Sequence, residues 1–234
     1  MEYSLKLIAN KYNMEVKYRD KRLSEQERID VVSRIDELIT EYSESIRRYH
    51  TELLHENCPN EELVPFLKLL SEIGEYTLRV VTDCVVLQKY FLLATCDYEK
   101  ALFRGKLQVI LNEGFKHVFW FKNSKKKSTL WSRLSEFVSL FPDSLKEEYQ
   151  KLQEKLDGYS YDSWWMDERN SETHLDIAAL CVSREVPIIE AKVIMESMEL
   201  INILLDVHKF MTDLHGSYCE YLMRQYLKQL HNNG

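Results

Sequence analysis

Six consecutive residues hold the densest chemistry in this chain: Arg169-Asn170-Ser171-Glu172-Thr173-His174. A guanidinium presents a planar fork of donors that fits two phosphate oxygens at once. An imidazole titrates near neutral pH and can give or take a proton. The amide of Asn170 can orient either group. Ser171 or Thr173 can cap a helix starting here, and a helix start offers unpaired N–H groups and a positive dipole end to an anion. Tyr159, Tyr161, Trp164 and Trp165 come just before and can stack on bases, although the two tryptophans fit a core position equally well. Arg169, Asn170 and His174 together could therefore handle a phosphate group. The same stretch also makes an ordinary helix N-terminus, with Glu172 on the dipole and Arg169 paired to Asp167. A looser pair, Arg48 and His55, sits in a strongly amphipathic stretch and reads as coincidence.

The second charged feature is "KNSKKKS", residues 122–128. Lys122, Lys125, Lys126 and Lys127 fit a solvated loop, or a contact to a phosphate backbone that is blind to sequence. With Tyr161 and Trp164 they form the candidate nucleic-acid-binding set. The net charge of −7 argues against a generally basic nucleic-acid coat but leaves room for a local basic site.

Other chemistries lack their residues. There is no GxxxxGK[ST] or GxGxxG loop, no HExxH, no GxSxG and no CxxC. His50 and His55 are five apart, off the i,i+4 spacing of one helical face. His208 and His215, with Asp206 and Asp213, lie two turns apart and cannot grip one ion unaided. Both sets read as solvated polar faces or hydrogen-bonded core histidines, so neither a metal nor a cofactor is expected. The five cysteines are odd in number and widely spaced, which suggests no disulfide framework. Cys84, Cys96 and Cys181 sit among apolar residues and read as core thiols. No basic segment followed by a long apolar run opens the chain, and no stretch reaches ~18 apolar residues. A cytoplasmic protein with no membrane partner is expected.

The elements that would position these groups are helices. Gly (6) and Pro (4) are scarce in 234 residues, while good helix formers abound. Residues 1–22 read as an arm or a short helix. Ser24 and Glu27 form a capping box. After it, Ile29, Val32, Ile35, Leu38, Tyr42, Ile46 and Tyr49 recur at helical spacing to about Glu56. A shorter helix follows, with Pro65 in its first turn or at a kink. The apolar stretch from Tyr76 to Phe103 reads as a central helix, and Gly105 as the start of the next. Pro142 and Gly158 bracket another helix. Residues 159–170 read as the longest loop. Pro187 opens the last long helix, which Gly216 either breaks or lies within. No hairpin, repeat or linker signal appears. The expected fold is all-α: one compact bundle of about seven to nine helices over residues 1–234, treated as a single domain.

At residues 169–174 the chain resembles the HEPN superfamily (higher eukaryotes and prokaryotes nucleotide-binding), helical bundles that often carry R-x4–6-H with a polar residue after the Arg. "RNSETH" fits the RNxxxH form. The helical context extends the resemblance loosely over residues 130–234. The resemblance implies a metal-independent endoribonuclease, or a nucleotide- or RNA-binding protein, commonly in defence or toxin–antitoxin systems. His174 would be the acid/base, Arg169 would stabilise transition-state charge, and Asn170 would hold the geometry. Family sites usually combine two Arg/His pairs, so one motif per chain implies a homodimer. Family members also include partners of nucleotidyltransferases. A non-enzymatic helical module that binds a protein partner is the competing expectation.

Overall fold

The computed structural model describes residues 23–51, 56, 58–119, 129–158 and 190–232. Among these residues there are six α-helices, two short 3₁₀ turns and no strand. The all-α class expected from the sequence is what the chain adopts, with six helices described against the seven to nine expected. The helices are α1 (Glu25–Thr51), α2 (Val64–Leu93), α3 (Asp97–Val118), α4 (Leu130–Ser135), α5 (Asp143–Gly158) and α6 (Glu190–Asn232). The 3₁₀ turns, Glu61–Leu63 and Val138–Leu140, lead into α2 and follow α4.

The helix ends follow local chemistry. Ser24 donates its N–H to Glu27 Oε2 at 2.7 Å, and the Glu27 N–H reaches Ser24 Oγ at 3.2 Å, closing the expected box on α1. Pro65 is the second residue of α2, where its missing N–H has no helical partner to lose. The Pro142 carbonyl accepts from Leu145 and Lys146 in the first turn of α5, and Gly158 is the last residue of that helix.

Three boundaries differ from the sequence reading. α2 runs unbroken through Gly74 and joins two segments expected to be separate. The break comes instead at Ala94–Cys96, where the Thr95 N–H and hydroxyl both donate to Glu99 Oε2. α3 therefore begins at Asp97 and passes through Gly105, which is buried inside it. A helix tolerates such a glycine at a cost of about 1 kcal/mol relative to alanine. Cys96, expected in the core, is exposed because it lies in this connection, whereas Cys84 is fully buried.

The chain groups into two compact units: residues 1–43, 79–115 and 161–204, and residues 44–78, 116–160 and 205–234. In the first unit Val31, Ile35, Leu38 and Tyr42 line the buried stripe of α1. Ile29, expected on that stripe, is 55% exposed and borders a groove of about 530 Å³ with Arg28, Asp36 and Leu93. The α1 stripe shares the unit with Val81, Val85, Leu107, Leu111, Ile194 and Ile201, all buried. A Cβ on Gly114 would sit 2.5 Å from Val80 Cγ1, so α3 approaches α2 as closely as only glycine allows. Gln88 donates to Ser197 Oγ at 2.8 Å across this core.

The second unit is built on aromatic rings. Phe66 lies 5.5 Å from Phe137, 6.0 Å from Phe141 and 5.0 Å from Tyr218, centroid to centroid. Trp131 stacks on Tyr149 at 5.0 Å and 16°, and its Nε1–H donates to Gln153 at 2.7 Å. Its indole is buried and its one donor is satisfied, so Trp131 supplies core here rather than an interface.

Candidate functional site

The sequence-derived site lies outside the described residues: Arg169, Asn170 and His174, the lysines Lys122, Lys125, Lys126 and Lys127, and the aromatics Tyr161 and Trp164. The described structure meets the motif-bearing stretch at two ends, Gly158 closing α5 and Glu190 opening α6.

Glu190 is held firmly. It is 3% exposed, and its Oε1 accepts from Lys100 Nζ at 2.6 Å, with Arg28 Nη1 at 3.8 Å. Its position in the first turn of α6 sets a negative group against the positive end of the helix dipole. Oε2 is buried and makes no hydrogen bond. Among the described residues this buried carboxylate has one close ammonium and one more distant guanidinium, which fix the start of α6. Sequence reasoning missed this pair, since Lys100 and Glu190 are 90 residues apart and neither belongs to a motif.

The second polar cluster surrounds His208. Its Nδ1 lies 3.1 Å from the Gly74 carbonyl, which can only accept, so Nδ1 carries the proton. Tyr49 Oη stands 3.5 Å from the same nitrogen, and the two rings meet edge to face at 5.8 Å. Tyr49 also hydrogen-bonds with Thr212. Burial pushes the His208 pKa below its ordinary value, and the Gly74 hydrogen bond only partly opposes this. Burial likewise raises that of Tyr49. An imidazole and a phenol side by side have the types of an acid–base pair, but His208 is 3% exposed and no substrate reaches it. Of the two readings left open by the sequence, a solvated polar face or a hydrogen-bonded core histidine, His208 is the second, and Tyr49 is the partner that sequence could not supply.

Further along α6, Cys219 Sγ lies 3.8 Å from His215 Nδ1. Asn112, fully buried on α3, has neither side-chain atom hydrogen-bonded. Among the described residues no three His, Cys, Asp or Glu side chains converge as a metal site, and no helix is long and apolar enough to cross a membrane.

No protein-family model, no curated protein and no solved structure matches the chain.

Proposed function

We propose that this chain is a HEPN-like, RNA-directed protein of the cytoplasm, and that Arg169, Asn170 and His174 cleave RNA without a metal. The observation that carries the reading is the RNSETH hexapeptide in an all-helical chain. In the reaction the RNA 2′-oxygen attacks the adjacent phosphorus while one imidazole takes the 2′-hydroxyl proton. The bond from phosphorus to the 5′-oxygen breaks, and a second imidazole protonates that oxygen. The products are a 2′,3′-cyclic phosphate and a 5′-hydroxyl. Arg169 meets the extra negative charge of the pentacoordinate state with its fork of donors. Two histidines in one site call for two copies of the chain. Lys122, Lys125, Lys126 and Lys127 supply attraction to the phosphate backbone, with Tyr161 and Trp164 stacking on bases.

The test is incubation with mixed RNA in EDTA, followed by analysis of the cleaved ends. The expected outcome is cyclic phosphate termini, with His174→Ala slowed by ~10²–10⁴-fold. Arg169→Lys should fail as well, because an ammonium cannot replace the bidentate fork. His55→Ala should cut normally. Changing Lys125, Lys126 and Lys127 together to Ala should weaken binding and flatten its salt dependence. Intact RNA with the wild-type chain, or full activity in His174→Ala, refutes the reading.

The exposed apolar side chains Met223, Tyr226 and Leu227 favour a second reading, a helical module that works by binding protein. RNA left uncut and unbound, together with a stable protein complex through α6, would select it.

A further inference from the structure

The last turns of α6 carry two apolar faces, and the fold uses one. Met211, Leu214 and Tyr218 are buried, and Leu222 and Gln225 continue that face half-buried. A separate stripe runs through Gly216, Cys219, Met223 and Tyr226, spaced alternately three and four residues apart with Leu227 beside it. Met223 is 65% exposed and Tyr226 62%. Gly216 lies inside an uninterrupted helix, and no atom of the described residues stands within 4 Å of where its Cβ would be. Packing within the chain therefore does not require the notch it leaves, and glycine is the worst helix former after proline.

The stripe is small at its N-terminal half and large at its C-terminal half. The flank beside it changes sign in the same sense: Asp213 and Glu220 precede Arg224 and Lys228. Both gradients complement themselves when the helix is reversed. We propose that this face of α6 binds a second copy of the chain in antiparallel register, about a two-fold axis at the level of Tyr221.

That register sets Gly216 level with the partner's Tyr226, and Cys219 level with the partner's Met223. The phenol ring then fills the glycine notch and the thioether covers the thiol. At a rise of about 1.5 Å per residue, Asp213 comes within about 1.5 Å in height of the partner's Lys228, and Glu220 within about 3 Å of the partner's Arg224. Each contact occurs twice, as an isologous interface requires. Within one chain Arg224 and Glu220 make only a loose surface pair at 3.3 Å, easily exchanged for a pair across the axis. A parallel arrangement would set Asp213 against Asp213 and leave Gly216 facing Gly216. The charge order therefore selects both the partner and its direction. The proposal needs nothing of the ribonuclease reading: the dimer can hold where RNA is not cut.

The experiment is analytical ultracentrifugation of the full chain across a range of concentrations, with circular dichroism to verify each variant's helix content. A species of twice 28.0 kDa is expected. Tyr226→Glu should raise the dimer dissociation constant at least about thirtyfold, the loss typical of an aromatic anchor seated in a notch. Gly216→Leu should also dissociate the dimer, although leucine favours the helix. Asp213→Lys should weaken it, and Asp213→Lys with Lys228→Asp should restore it. A chain that stays monomeric at tens of micromolar overturns the proposal, because the face would then await a different protein. A dimer indifferent to Tyr226→Glu and Gly216→Leu places the contact elsewhere and also overturns it. Failure of the charge reversal to rescue Asp213→Lys overturns the antiparallel register.

Discussion

Replacing Gly74 by alanine asks how tightly α1 and α2 are fitted in the second unit. A Cβ there would stand 2.5 Å from Tyr49 Oη, 2.8 Å from Cζ and 2.9 Å from Cε1. Ordinary contact begins near 3.4 Å, so the ring must move by up to about 1 Å. It has little freedom to do so, with Thr212 on its hydroxyl and His208 against its edge. Overpacking of this kind costs about 1–3 kcal/mol. Mid-helix Gly→Ala alone gains about 1 kcal/mol. The net expectation is a loss of up to about 2 kcal/mol, read from urea unfolding followed by helical circular dichroism. In a Tyr49→Ala background the clash is gone and only the propensity gain remains. There Gly74→Ala should stabilise, reversing its sign. Gly74→Ala that stabilises the wild-type chain, or that has the same effect in both backgrounds, would refute the reasoning.

Removing Lys100 leaves the buried Glu190 carboxylate with Arg28 as its one cation among the described residues. Lys100→Met should cost about 2–4 kcal/mol in chemical unfolding, and adding Glu190→Leu should recover most of it, since an apolar pair leaves no charge to desolvate. His208 makes stability depend on pH. Its folded pKa lies below the ordinary 6.5, so the unfolded chain binds the proton more readily. Its contribution is complete above about pH 6.5 and is lost as pH falls through the folded value. Urea midpoints measured from pH 7.5 downward should decline below pH 6.5, and His208→Gln should flatten that part of the profile.

The stretches most legible in the sequence were those governed by neighbours along the chain. The Ser24–Glu27 box, the apolar stripe of α1 and the Pro142–Gly158 bracket all act within a turn or two. Glycines misled, because a mid-helix glycine carries opposite meanings. Gly105, read as a helix start, lies inside α3, and the separation expected next to Gly74 is absent. Gly74 is instead a point of close approach to Tyr49, as Gly114 is to Val80, and only the packed structure supplies those partners. Cys96 misled because apolar neighbours in sequence do not ensure burial in a connection between helices. The burial of Trp131 was not legible either, because its partners Tyr149 and Gln153 lie one helix away. The RNSETH motif was visible only as residue types and spacing, and it lies outside the described residues. The cationic partner of Glu190 was not legible at all, because it comes from a helix far away in sequence where no local pattern announces it.

The contrast between Cys84 and Cys96 gives this molecule a built-in clock. Burial pushes the Cys84 thiol pKa well above its ordinary value, so neither access nor thiolate is available while the first unit's core is closed. Cys96 stands in the open on the same unit. A thiol reagent should mark Cys96 at once and Cys84 only during openings of the core. The ratio of the two rates then measures how often that core comes apart under native conditions, without denaturant and without knowing what the protein binds.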